Sequence, residues 1–360
     1  MEEFQCGTRI VAGEGAVKVL REYGAKRVFV VTDPYFFKNG MARTVAQETG
    51  ASQTEFFADV KPDPTVELAA EGTARLKAFG PDLLVALGGG SAMDCAKAMA
   101  YFSQGSFPLA AIPTTSGSGS EVTDFAVLTH GDTKYPLVDK RLQPDLAILD
   151  SFFLRELPPG LIADTGFDVL THAVEGFTAT GAGMITDLYA QEAFRVAYGC
   201  LPASFAGRQE VRLRMHMASC MAGLSFSRAG LGLCHAMSHS LGARFHVPHG
   251  RLNAILLPAV IGSNGACCQK KYAVLARAAG MSGSSDGVAL RNLRSGLVRL
   301  RRELNLPATL AAAGVAPGRV WNALDDIVKA VLADPCCKTN PMPVEDFQVR
   351  RILEEVTGHI

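Results

Sequence analysis

The 360-residue chain is expected to fold as an α/β unit with a parallel sheet flanked by helices, followed by a largely helical unit. Three observations predict this. The length exceeds that of one usual domain. The first part alternates β-rich runs with helical patterns, as a parallel sheet covered by helices requires. After Pro158-Pro159 the β-rich runs give way to Ala-, Leu- and Met-rich stretches of helical periodicity. The expected division is residues 1–155 and 156–360.

In chain order, Arg27–Thr32 (RVFVVT) reads as a buried strand, Thr65–Phe79 as a helix and Asp82–Leu87 as a second strand. Ser91–Phe102 follows as a helix, Leu109–Ile112 as a strand and Leu146–Leu149 as the closing strand. Beyond Leu161, Gly and Pro act as helix stops. No fixed-period repeat or low-complexity segment appears.

Composition narrows the function. Hydrophobic residues make up 48% and charged residues 19%, which excludes a disordered chain. Lys+Arg and Asp+Glu each total 35, so the net charge is zero and no global basic field favours nucleic acid. The opening MEEFQCGTRI does not read as a secretory signal. Apolar runs such as Leu83–Leu87 and Ile255–Ile261 are far below membrane-spanning length. Nine cysteines form no CxxC pair, and Cys267-Cys268 and Cys336-Cys337 are adjacent, a poor geometry for disulfides. Free thiols in a reducing cytoplasm are the expectation.

Two turns attract attention. Leu83–Leu87 runs into Gly88-Gly89-Gly90-Ser91 and then a helix carrying Asp94 and Lys97. Glycines admit an anion close to the backbone, and the helix directs N–H groups and its positive end toward it. The pattern is not GxGxxG, and a plain strand-to-helix turn fits as well. The second turn, Pro113–Thr123 (PTTSGSGSEVT), is dense in hydroxyls, which suits a ligand crevice or a solvated loop. Asp33, at a strand end, suits a ribose diol and would repel a 2′-phosphate. It equally suits a turn opened by Asp-Pro.

Four of the eight histidines fall between His235 and His249: His235, His239, His246 and His249. His235 and His239 are four apart in a helical pattern and share a face, as do Asp168 and His172. One carboxylate with several imidazoles is a divalent-metal set. A satisfied core histidine or a surface i,i+4 pair is the competing reading, and the local density of these residues weighs against it.

The segments GGGSAMDCAKA, IPTTSGSGSEVT, GFDVLTHAVEGF and GLGLCHAMSHSLGARFHVPHGRLNAILLP, in this order, resemble the iron-dependent (group III) alcohol dehydrogenases, from about Thr8 to about Pro341. The tail VLADPCCKTNPMP is most similar to the 1-propanol dehydrogenase branch associated with bacterial microcompartments. The resemblance implies an N-terminal dinucleotide domain, a C-terminal helical domain and a metal between them. It implies Asp168, His172, His235 and His249 as metal ligands, with His239 a non-ligand beside the nicotinamide, relaying or positioning a proton. It assigns Asp33 to the ribose and Gly89, Gly90 and Ser91 to the pyrophosphate. Thr114, Thr115, Ser118, Thr123, Phe125, Lys134 and Leu149 would be further cofactor contacts, and Phe125 and Phe226 would wall the substrate pocket. Ser118 replaces a commoner Thr, Cys95 a usual Ala, and Arg251-Leu252 stand where smaller residues are common.

The implied activity is NAD(H)-dependent interconversion of short-chain aldehydes and primary alcohols, regenerating NAD⁺, with Fe²⁺ as the metal and Zn²⁺ as the alternative. A homodimer or higher homo-oligomer is expected, in the cytoplasm or inside a microcompartment reached through a partner protein, with no nucleic-acid or membrane partner. The rivals are a zinc-dependent polyol dehydrogenase of glycerol type on the same scaffold, and a non-catalytic metal- and NAD-binding scaffold protein.

Overall fold

The computed structural model describes residues 3–131, 133–281 and 283–358. The chain divides into two compact units, Gln5–Leu157 and Pro158–Ile360.

The first unit is built on six strands: β1 (Arg9–Ala12), β2 (Arg27–Thr32), β3 (Gln53–Phe57), β4 (Leu83–Gly88), β5 (Leu109–Pro113) and, after a separate hairpin of β6 (Phe125–His130) and β7 (Thr133–Val138), β8 (Leu146–Leu149). Their spatial order is β1-β8-β5-β4-β2-β3 and every pairing is parallel. The strand residues alternate between two buried clusters. Val28, Val30, Leu83, Val85 and Leu87 face one, and Phe29, Val31, Leu84 and Ala86 face the other. Burial on both faces is why these strands read as unbroken apolar runs. The connecting helices are α1 (Pro34–Lys38), α2 (Met41–Thr49), α3 (Val66–Phe79) and α4 (Gly90–Ser103).

Four strands were not anticipated from sequence, β1, β3 and the two of the β6–β7 hairpin, and neither were helices α1 and α2. The edge strands β1 and β3 carry mostly exposed or half-buried residues, so they lack an apolar run. The hairpin is the only antiparallel pairing among the described residues.

Helices dominate the second unit: α5 (Pro159–Thr178), α6 (Met184–Phe205), α7 (Arg212–Ala229), α8 (Leu233–Phe245), α9 (His249–Ser263), α10 (Gly265–Ala278), α11 (Asp286–Glu303), α12 (Pro317–Asn322), α13 (Leu324–Ala333) and α14 (Asp346–Thr357). None of them is long and apolar enough to cross a membrane, among the described residues. Helix α5 is central: nearly every side chain from Ile162 to Thr178 is buried, and α6, α7 and α9 pack on it. A helix buried around its circumference belongs in a core. Pro158-Pro159 opens α5, supplying a preset φ where no intrahelical N–H bond is lost.

Gly250, the second residue of α9, lets that helix touch α5. A Cβ there would lie 2.0 Å from the Asp164 carbonyl oxygen, backbone that cannot swing aside. Gly250→Ala is therefore expected to destabilise the second unit by about 1–3 kcal/mol, the usual range for overpacking. Urea unfolding followed at a probe in that unit checks this, and an unchanged midpoint would contradict it.

Candidate metal and cofactor sites

Helix α5 carries four ionisable side chains on one stripe: Asp164, Asp168, His172 and Glu175. Their spacing of four, four and three residues keeps them on one helical face. All four are buried, so each must meet a partner or destabilise the fold.

Asp168 stands at the centre. Its Oδ1 lies 3.8 Å from His172 Nε2, 3.7 Å from His235 Nε2 and 3.5 Å from His249 Nε2. The ligand atoms of Asp168, His235 and His249 all fall within 4.8 Å of one another. His172 stacks on His235 with ring centres 4.6 Å apart. Residues from α5, α8 and α9 thus converge on one point. His249 is the first residue of α9, with Pro248 as its N-cap.

Charge and burial prepare these groups unequally. Burial alone would raise the Asp168 carboxyl, but the imidazoles of His172, His249 and His235 hold it well below the usual carboxylate range. Burial pushes His249 well below an ordinary histidine. His235 is also pushed down by burial, yet the nearby Asp168 carboxylate, together with the hydrogen bond and charge of Glu175, outweighs this and lifts it to about 9.

Of the supporting residues only Arg251 was singled out from sequence, and without its partner. Glu175 holds His235 Nδ1 at 2.6 Å. The same carboxylate accepts the backbone N–H groups of Gly232 (3.0 Å) and Cys234 (2.7 Å), capping α8. Asn253 donates to Asp168 Oδ1 at 2.7 Å and sits 3.3 Å from His249 Nε2. Its own Oδ1 accepts from Ser238 Oγ at 2.5 Å. Arg251 closes on Asp164 through two hydrogen bonds of 3.1 and 2.9 Å. A signal for Glu175 and Asn253 existed: each lies on the helical face of a candidate ligand, three residues after His172 and four after His249.

A divalent ion fits this donor set. His235 Nε2 is fully buried and has no hydrogen-bond partner, while its Nδ1 is held by Glu175. A histidine fixed at one nitrogen and vacant at the other is the usual form of a metal ligand. His239, one turn further along α8, lies outside the cluster, with its Nδ1 2.9 Å from Asp334 Oδ2. Phe226 stacks on His172 at 4.3 Å.

In the first unit, the carboxyl ends of β2, β4, β5 and β8 bring Asp33, the glycine turn, Thr114-Thr115 and Leu149 to one edge of the sheet. That edge is where open α/β sheets bind ligands. Gly88 has φ 154°, and a Cβ on it would lie 2.6 Å from Ala92 Cβ and 3.7 Å from Asp33 Oδ2. Cβ atoms on Gly89 and Gly90 would close on Thr115 Oγ1 (3.4 Å) and Ser118 Cβ (3.3 Å), so the two turns abut. Bare backbone at the head of α4, beside hydroxyls, makes a cradle for phosphate. The buried Thr114 Oγ1 has no protein partner, which fits a ligand contact. Asp33 Oδ1 caps α1, accepting from Tyr35 N (2.8 Å) and Phe36 N (3.0 Å). The Asp-Pro turn and a role for Oδ2 are thus compatible.

Lys97 braces the hydroxyl-rich loop from beneath. Its wholly buried Nζ donates to Ser120 Oγ (2.9 Å), Thr123 O (3.0 Å), Thr123 Oγ1 (2.9 Å) and Phe125 O (3.0 Å). Burial pushes its ammonium down to about 8 against the pull of Asp94 and Glu121. Lys134, on β7, pairs with Asp63 at 2.6 Å.

Known proteins resemble this chain over nearly its whole length. The model for "Iron-containing alcohol dehydrogenase" matches residues 7–151, and that for "Fe-containing alcohol dehydrogenase family, C-terminal" matches residues 162–357. The 1-propanol dehydrogenase PduQ of Salmonella typhimurium is 37% identical over 99% of this chain and 100% of its own. The NADPH-dependent butanol dehydrogenase of Clostridium saccharobutylicum is 34% identical over 98% of this chain and 97% of its own. The iron-containing alcohol dehydrogenase structure from Thermococcus thioreducens superposes with a TM-score of 0.90, at 32% identity and 98% coverage of both chains. With both units matched over nearly their whole length, the chain belongs to the iron-containing alcohol dehydrogenase family.

Proposed function

We propose that this chain interconverts short-chain aldehydes and primary alcohols with NAD(H), using one divalent ion, Fe²⁺, held by Asp168, His172, His235 and His249. The observation that carries the reading is the convergence of three imidazole Nε2 atoms on Asp168 Oδ1, one of them buried and unpartnered. One carboxylate and three neutral imidazoles leave a divalent site net positive. Zn²⁺ suits the same ligands, so iron rests on the family.

When bound, the ion supplies Lewis acidity toward a carbonyl oxygen and the nicotinamide supplies or accepts a hydride. The chain supplies the rest. Glu175 keeps the hydrogen of His235 on Nδ1, which leaves Nε2 as ligand, and Asn253 holds Asp168 in place. His239 moves a proton without ligating. Gly89, Gly90 and Ser91 receive the pyrophosphate, and Thr114, Thr115, Ser118, Thr123, Phe125, Lys134 and Leu149 complete the cofactor contacts. Phe226, stacked on His172, gives the metal side of the pocket an apolar wall, which favours acetaldehyde to butanal over polyols. The similarity to a 1-propanol dehydrogenase supports this substrate class. A homo-oligomer in the cytoplasm or in a microcompartment completes the reading.

A relative that uses NADPH leaves cofactor choice to this chain's own residues. Asp33 supports NADH: its carboxylate accepts ribose hydroxyls and repels a 2′-phosphate.

Steady-state rates with an aldehyde panel, on anaerobically purified protein of known metal content, test the proposal. Propanal with NADH is expected to exceed glycerol with NAD⁺ in kcat/KM, and full activity after exhaustive chelation would sink it. Asp168→Ala and His235→Ala should each lose the metal and turnover while fluorescence titration still shows NADH binding. Glu175→Gln is expected to weaken metal binding by about 10–100-fold, the range for a lost outer partner. Competition with a chromogenic chelator measures it, and unchanged affinity would contradict the role of Glu175. Asp33→Gly should raise the NADPH to NADH ratio of kcat/KM by on the order of tenfold, the scale of one removed like-charge contact. A wild type already preferring NADPH would refute the assignment.

A further inference from the structure

His239 differs from the converging imidazoles in what holds it. Its Nδ1 is 2.9 Å from Asp334 Oδ2, and its ring stacks on His249 with centres 5.4 Å apart and planes 16° from parallel. Asp334 follows α13 and caps the short 3₁₀ turn Pro335–Thr339, its Oδ1 accepting the Cys336 N–H at 2.8 Å. Cys336 stands close enough to complete a three-residue cluster with His239 and Asp334. His239 Nδ1 and Asp334 Oδ2 already face each other at hydrogen-bond distance, and we read the two as a hydrogen-bonded dyad.

The donor and acceptor inventory then decides where the hydrogen on His239 lies. An ionised carboxylate only accepts. One oxygen faces a backbone N–H, so the other must face an imidazole N–H. A neutral His239 therefore carries its hydrogen on Nδ1 and its lone pair on Nε2.

We propose that Asp334 is a positioning residue that fixes His239 in the Nδ1–H form, so that Nε2 receives the alcohol proton. The inference rests on reading His239 as the proton-moving group. In oxidation, the alcohol O–H bond breaks and its proton goes to Nε2, while the carbinol C–H bond breaks and its hydride goes to NAD⁺. The imidazolium, stabilised by the Asp334 carboxylate, then releases the proton to solvent, and aldehyde reduction runs the sequence in reverse.

Asp334→Asn isolates this role. Asn caps as well as Asp, so Oδ1 keeps the Cys336 N–H. The Nδ2 donor then faces His239 Nδ1, which must turn acceptor, and the hydrogen moves to Nε2. With propanal and NADH, this variant should lose on the order of a hundredfold in kcat, with KM within about twofold and metal content and melting temperature unchanged. His239→Ala should lose a comparable amount, and the double variant no more than either single change, because the two residues act as a unit. A wild-type kcat in Asp334→Asn or in His239→Ala, or losses that multiply in the double variant, would overturn the proposal. Histidine side-chain nitrogen NMR of the zinc-loaded protein should show Nδ1–H at His239 in the wild type and Nε2–H in Asp334→Asn. Nε2–H in the wild type would also overturn it. Because the spectra need no turnover, an enzyme inactive on every aldehyde would count against the proposed function and leave the dyad standing.

Discussion

A charged stripe along a buried helix is the constraint on which the second unit turns. Asp164, Asp168, His172 and Glu175 sit on α5, where an unpaired carboxylate would destabilise the fold by several kcal/mol. Each carboxylate is met by residues from α8 or α9. Asp164 takes Arg251 of α9, Asp168 takes Asn253 and the imidazoles, and Glu175 takes the head of α8 with His235. The interactions that make burial tolerable are the same ones that bring α8 and α9 to the site. Stability and ligand geometry therefore share one set of contacts, and Gly250 permits the close approach they need.

The first unit solves a similar problem with a cation. Nearly all of its sheet is apolar on both faces, yet Lys97 is wholly buried with four acceptors around Nζ. Its ammonium sets the path of residues 120–125 from below. Ser120 links it onward to Asp94, which also holds the Val127 N–H at the start of the hairpin. Hydroxyls that look like a solvated loop in sequence are thus held in fixed positions by a neighbouring helix.

How much of this could be read from sequence follows from the range of each interaction. The four central strands were legible because burial on both faces makes them continuous apolar runs. The edge strands β1 and β3 were not, because their half-exposed residues carry no such mark. Residues that share a helical face, such as Asp168 with His172 and His235 with His239, were legible from spacing alone. Glu175 and Asn253 obey the same spacing, but with no visible partner their roles stayed hidden. The pairing of His239 with Asp334 spans 95 residues and leaves no local signature. Such pairs exist only once helices pack.

The donor set also depends on what is kept out of it. Cys234 directly precedes His235 and is fully buried near the cluster, where a thiolate would be a strong, soft ligand. Burial raises its thiol well above the usual range, and the carboxylates of Glu175 and Asp168 raise it further. Its Sγ turns to Asn253, 3.7 Å from Oδ1 and 3.9 Å from the carbonyl oxygen. The carboxylates that organise the imidazoles thus also keep the neighbouring sulfur protonated and engaged elsewhere. In the proposed function, a site limited to one oxygen and three nitrogens would stay harder than a thiolate site and would leave net positive charge on a divalent ion. That charge would stabilise negative charge developing on a substrate oxygen.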